Sequence, residues 1–262
     1  MPANYTPRRR RARISAAIVS AAALGAAIVL PAGSAQAAEC YYGSCYSYVS
    51  GQQYATASGA AVTMYIGDPS GVSSVGHSLQ ELSLQNTDST TTADTVEIGW
   101  TVDPSTFGDY QTHLFVFHWV NGQAQCYDGC GFVSISSSVT VGMTLTPGSS
   151  ATFAWYYSGG DWWAYYNGVP FGYFPGSVWD GYFTDAVNIQ AFGEVSAPSQ
   201  PSCTQMGDGT FGSESGSSYV SDFQLYGSSS QPDLSVFATD PSDYNDGSVT
   251  TTGFHLGGPG GC

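Results

Sequence analysis

Five Glu occur in the 262-residue chain, and two of them, Glu97 and Glu194, sit well inside segments that read as strands. An unpaired charge is least welcome there, because desolvating it costs free energy that only a partner can return. Two carboxyls brought together without a cation cannot both ionise easily, so one keeps its proton where a free carboxyl would lose it. Such a pair is an acid and a base at once. The ionised member can take a proton from an attacking water, while the protonated member polarises a carbonyl and then donates to the leaving amine. The chemistry within reach is amide hydrolysis with no metal, Ser or Cys nucleophile, and it calls for no cofactor.

The charge inventory favours that chemistry. All five basic residues, Arg8 to Arg11 and Arg13, precede residue 14, and the remainder carries 20 acids and four His against no Lys or Arg. Few native carboxylates can be held by ion pairs, so acid breaks little on protonation and also relieves self-repulsion. The expectation is a protein built for acidic surroundings. Nucleic acid and anionic membranes are excluded as partners, since both need clustered cations.

The elements that must position the two acids are short strands. In Val96-Glu97-Ile98-Gly99-Trp100-Thr101-Val102 the period of two puts Val96, Ile98, Trp100 and Val102 on one face and Glu97, Gly99 and Thr101 on the other. In Val187 to Val195 the apolar set Val187, Ile189, Ala191 and Val195 leaves Asn188, Gln190, Phe192 and Glu194 opposite. One polar-aromatic sheet surface can therefore hold both acids.

Further strands are expected at 62–66, 79–85, 95–102, 113–120, 132–135, 151–157, 162–166, 171–174, 187–195 and 219–226, each bounded by Gly, Asp, Asn, Pro or Ser. Ser158-Gly-Gly-Asp161 and Asn167-Gly168 read as hairpin turns. The spacing suggests a meander, and so many short strands imply an all-β, antiparallel sandwich of two stacked sheets. No amphipathic helix is expected.

Before this lies an arginine cluster, an apolar run from Ile14 to Leu30 and the small-residue stretch ending Ala35-Gln36-Ala37. That pattern reads as a secretory signal over residues 1–37, giving a secreted, extracellular protein with no membrane contact after cleavage. Residues 38–60, rich in Tyr, Ser and Gly, read as an N-terminal arm. Residues 61–262 read as one sandwich domain whose tail from Gly227 is loop-like. Six Cys in an exported chain read as disulfides. Close spacing favours Cys40 with Cys45 and Cys126 with Cys130, which leaves Cys203 with Cys262.

Other motifs point to less. His113 and His118 face opposite sides of one strand, so no shared zinc is expected. Asp240, Asp243 and Asp246 miss the spacing of an EF-hand loop, and there is no Gly-x-Ser-x-Gly elbow.

In order along the chain, several segments resemble the neprosin family of secreted glutamic peptidases, which cleave proline-containing peptides. They are Val96 to Val102, Phe107-Gly108-Asp109, Leu114 to Phe117, Cys126 through Cys130 into Gly131-Phe132-Val133, Asp161-Trp162-Trp163, Gly172-Tyr173-Phe174-Pro175, Phe192-Gly193-Glu194-Val195 and Thr204 to Gly209. The likeness spans roughly residues 79–226. It implies a jelly-roll or concanavalin-like sandwich and a secreted endopeptidase acting next to proline on proline-rich peptide or protein substrates; a monomer is expected. It also implies that the two catalytic Glu are Glu97 and Glu194. The chain departs from the plant pattern in Ala191-Phe192-Gly193 before the second Glu and in having no long propeptide.

Gln190, Phe192, Trp162, Tyr173 and Tyr219 are the candidates to line a substrate groove. The non-enzymatic rival is a lectin-like or carbohydrate-binding sandwich, since flat aromatic faces stack on sugars as well as on prolines. A retaining glycosidase ranks third, because sandwich glucanases carry their acids close together on one strand.

Overall fold

The computed structural model describes residues 39–41, 43–89 and 91–262; the signal expected over residues 1–37 lies outside them. In chain order the strands are β1 (Glu39–Tyr41), β2 (Ser44–Ala57), β3 (Gly59–Tyr65), β4 (His77–Gln85), β5 (Thr95–Val102), β6 (His113–Val120), β7 (Gln123–Ala124) and β8 (Val133–Ser134). They continue as β9 (Ser150–Ser158), β10 (Asp161–Tyr166), β11 (Val169–Pro175), β12 (Ala186–Ala197), β13 (Ser218–Tyr226), β14 (Ser235–Ala238), β15 (Asn245–Thr250) and β16 (Gly253–Gly257). The only α-helix among the described residues is the four-residue α1 (Pro104–Phe107), capped by the Asp103 carboxylate.

Two antiparallel eight-stranded sheets result. The first runs β1-β2-β12-β4-β5-β6-β7 with β14 also on β2, and the second runs β15-β16-β13-β3-β9-β10-β11-β8. Their inner faces meet in one core built from Val96, Ile98, Trp100, Leu82, Leu84, Ile189, Ala191 and Val195 on one side and Val62, Phe153, Trp155, Trp162, Phe171 and Phe174 on the other. The period of two in β5 and β12 is thus the period of the core, and it delivers Glu97 and Glu194 to the outer face of the first sheet.

The sandwich is as expected, but its wiring is not a meander throughout. β4 to β7 and β9 to β11 follow one another, whereas β2 and β3, separated by Ser58 alone, lie in opposite sheets. The stretch read as an arm, residues 38–60, holds the 14-residue β2, which pairs with β12 along most of its length. Its Tyr, Ser and Gln side chains hid it, because its outer face lines a polar surface rather than solvent. The tail from Gly227 likewise contributes β14, β15 and β16, whose Gly- and Asp-rich sequences read as loop.

The expected turn between β10 and β11 has φ of +50° at Asn167 and +74° at Gly168, as a two-residue hairpin requires. All three expected disulfides are present: Cys40–Cys45, Cys126–Cys130 and Cys203–Cys262. Among the described residues no helix is long and apolar enough to cross a membrane.

Candidate active site

The outer face of the first sheet is a grid that register fixes. One row reads Gln52, Gln190, Ser83, Glu97 and Phe117 across β2, β12, β4, β5 and β6. The next row reads Ser50, Phe192, Glu81, Gly99 and Phe115, and the third reads Tyr48, Glu194, Leu79, Thr101 and His113. Glu97 and Glu194 are therefore not cross-strand neighbours. They stand two strands apart and four residues apart in register, and Glu81 on the intervening β4 lies diagonal to each. Diagonal neighbours on one face are about 7–8 Å apart, within reach of long side chains. Gly99 sits opposite Glu81 because a Cβ there would come within 2.0 Å of the Gln80 carbonyl oxygen.

The three carboxyls differ in their partners. Glu194 Oε1 receives the His77 Nε2–H at 2.6 Å, with both side chains largely buried. Tyr48 on β2 lies directly opposite Glu194. Burial alone would lower His77, but the bond to Glu194 and its charge, with Asp103 behind, raise it. Glu97 Oε1 receives only the Trp119 indole N–H, at 2.8 Å. Burial and the charge of Glu194 push its carboxyl up to about 8, against the smaller downward pull of Trp119. Glu81 is 4% exposed, has no hydrogen bond among the described residues, and is driven well above the carboxylate range by burial and then by Glu97 and Glu194.

A cover explains why an outer face is dry. The Cys126–Cys130 loop docks on the free edge of β6, where Val116 N–H donates to Asp128 Oδ1 at 3.0 Å and Asp128 N–H to the Val116 carbonyl at 3.3 Å. This lays Tyr127 against Phe117 and Phe115, with ring centroids 4.9 and 5.6 Å away. The Tyr127 hydroxyl is raised far above its usual range by burial and then by Glu194, Asp103, Glu81 and Glu97. Beneath it, Ser83 Oγ and Gln190 Nε2 are buried without a protein partner among the described residues.

Of the residues expected to line a groove, Gln190 and Phe192 share this face with Glu194. Trp162 does not: it is fully buried between the sheets, and its indole N–H donates to the Phe183 carbonyl at 2.8 Å. In Asp161-Trp162-Trp163 it is Trp162 whose register points inward. Tyr173 and Tyr219 lie on the outer face of the second sheet, paired with Trp163 and with Tyr65 and His255. His77, Glu81, Tyr48 and Tyr127 were not singled out from sequence. The alternation Leu79-Gln-Glu81-Leu-Ser83-Leu was the signal for Glu81, a third Glu in a strand pattern.

The remaining candidates have structural roles. His113 bonds the Gly142 carbonyl and Asp109 Oδ1, each at 2.8 Å, and stacks on Phe107. His118 points into the core against Phe174 and Trp179, and burial lowers it to about 4. No group of His, Cys, Asp or Glu among the described residues is arranged to hold a metal. Asp240 serves its own turn instead, its carbonyl receiving the N–H of Asp243 and Tyr244.

A family model described as Neprosin matches residues 75–259 of the chain. Among solved structures, Scytalido-glutamic peptidase with a peptide-based transition-state analogue is similar over 81% of this chain and 98% of its own, at 11% identity and a TM-score of 0.47. The same peptidase with a transition-state analogue inhibitor gives 12% identity, the same coverage and a TM-score of 0.48. CG-16, a homodimeric agglutinin from chicken liver, covers 56% of this chain and 92% of its own at 13% identity and a TM-score of 0.33.

Proposed function

The chain belongs to the Neprosin family, and on that premise we propose that it is a secreted endopeptidase that hydrolyses peptide bonds next to proline with Glu194 as base and Glu97 as acid. One observation carries the reading: two carboxyls on one covered face have unlike partners. Glu194 takes the His77 imidazole and faces Tyr48, while Glu97 has one indole donor and is pushed up to about 8 by burial and by Glu194.

The reaction follows from that difference. A water bound to Glu194 gives it a proton as its oxygen attacks the scissile carbonyl carbon, whose oxygen is polarised by the Glu97 carboxylic acid. The tetrahedral adduct collapses as Glu97 donates to the amide nitrogen and the C–N bond breaks. Water excluded by the Tyr127 loop strengthens each of these interactions. The buried amide nitrogen of Gln190 and the Ser83 hydroxyl are the polar anchors for the peptide backbone. Phe192, Phe117 and Tyr127 supply flat apolar surface for a pyrrolidine ring. The three disulfides and a composition free of Lys and Arg after residue 13 suit an oxidising, extracellular setting.

The test is to replace Glu97 and Glu194 singly by Gln and follow cleavage of a proline-containing peptide between pH 3 and 8. Each substitution is expected to lower kcat/KM about 10²–10⁴-fold, with wild-type activity failing above about pH 8 as Glu97 ionises. Full activity in either variant overturns the assignment. Equal cleavage of peptides with proline replaced removes the specificity and leaves the mechanism. A wild type that cleaves nothing but is retained on polysaccharide favours the sugar-binding alternative.

A further inference from the structure

Each turnover of the mechanism above ends with the two acids in the wrong states, Glu194 carrying the proton of the water and Glu97 carrying none. One proton must cross β4 before the next peptide can be cut. Glu97 and Glu194 are two strands apart, and the loop that carries Tyr127 packs against Phe115 and Phe117 on the same face. The residue that stands between them is Glu81. It is diagonal to both, 4% exposed, and makes no hydrogen bond among the described residues that would commit it to a structural role. Ser83, next on the same face of β4, lies directly opposite Glu97 with its hydroxyl unpartnered. A hydroxyl donates and accepts at once, so it can bridge neighbouring carboxyls.

We propose that Glu81 is the proton relay that resets the site, an inference that rests on the dyad reading. The protonated Glu81 passes its proton toward Glu97, by way of the Ser83 hydroxyl, and takes the proton left on Glu194. No charge is created and no atom is lost: Glu97 regains its acid form, Glu194 its carboxylate, and Glu81 ends as it began. The groups facing Glu81 are Glu194 and Phe192 on β12, Tyr48 on β2, Glu97 on β5, Phe115 on β6 and Tyr127 from the loop, with His77 on its own strand bound to Glu194. Among these His77 is the sole group able to carry positive charge, and it is engaged elsewhere. Burial and the two neighbouring acids hold Glu81 well above the usual carboxylate range, so the relay proton is present at working pH.

Glu81→Gln keeps the shape of a protonated Glu and removes only the transferable proton. In rapid-mixing assays it is expected to complete the first turnover at the wild-type rate and then fall to a steady state about 10-fold slower or more, with KM falling in proportion so that kcat/KM is unchanged. Small carboxylic acid buffers such as formate are expected to restore steady turnover in this variant and not in the wild type. A merely structural role would slow the first turnover equally and show no rescue, and that result, or wild-type steady turnover in Glu81→Gln, overturns the relay. Should Glu81→Gln fail to fold, Glu81→Asp supplies the second arm, being expected to turn over without a burst, and a burst in that variant counts against the relay. Failure of the dyad reading looks different: the wild type is inactive, or Glu97→Gln or Glu194→Gln stays active.

Discussion

The outer faces of the two sheets are written in the same alternating code and have opposite properties. On the first sheet, Glu81, Ser83, Gln190 and Phe115 are buried although they point away from the core. On the second, Trp163 packs on Tyr173 and Tyr156 on Tyr226, each pair with centroids 4.6 Å apart, and Tyr156 remains exposed. The difference lies in what covers them. The Cys126–Cys130 loop lays Tyr127 over the first face, and water excluded there drives Glu97 and Glu81 up the pH scale. The second face carries cross-strand aromatic pairs that stiffen the sheet and no Glu within its outward register. Alternation supplies a polar face; a cover turns it into a site.

The comparison breaks most decisively on activity. Glu97→Gln or Glu194→Gln is expected to lower kcat/KM by about 10²–10⁴-fold, while Trp163→Ala and Tyr173→Ala leave it within about 2-fold of wild type. A comparable loss from the second-face variants in peptide cleavage would erase the distinction between the faces.

Inside the second sheet, adjacent tryptophans sharpen it further. Trp162→Ala is expected to cost about 3–5 kcal/mol in denaturant unfolding because it empties a core position, and Trp163→Ala less than about 1 kcal/mol. Equal costs would mean that the inward and outward faces are not distinct.

Releasing the cover comes next in size. Replacing Cys126 and Cys130 together by Ser is expected to reduce kcat/KM about 10-fold. It should also move the alkaline limb below pH 8, since readmitted water lowers Glu97 toward its ordinary value. An unchanged limb would separate the loop from the desolvation.

The smallest effect is on stability with pH. Glu97, near 8, and Asp128, near 6, are raised above their unfolded values. The native state therefore holds more protons, and their contribution is complete below about pH 4 and lost as pH rises through 6 and 8. Buried His118, lowered to about 4, works the other way: its contribution is complete above about pH 6.5 and lost as pH falls through 4. The melting temperature is expected to rise by a few degrees from pH 8 to about 5 and to level off near pH 4, where the His118 loss and the carboxyl gains are both complete. A steady fall from pH 7 to 4 would mean that the acidic face contributes nothing to acid tolerance.

Much of this was legible along the chain because strand periodicity is local. β5 and β6 begin and end where the alternation and the bounding polar residues place them, and Asn167-Gly168 turns as its residue types demand. β2 was not legible, since one side of it lines a polar site and its Tyr and Gln positions do not contrast with solvent-facing sequence. Trp162 and Trp163 were indistinguishable by type, and a shift of one residue exchanges core for surface.

From the sequence alone came the two-sheet class, the disulfides, the absence of any Lys or Arg that might pair with Glu97 or Glu194, and the outward facing of both acids. Composition and a period of two suffice for these. Only the tertiary structure decided that His77 sits on Glu194, that Glu81 stands between the two acids, and that Tyr127 packs on Phe115 and Phe117 of the same face. Those contacts join β12, β4, β5 and the loop after β7 across sheet register and loop docking. Register couples residues more than 100 positions apart, which no local pattern encodes.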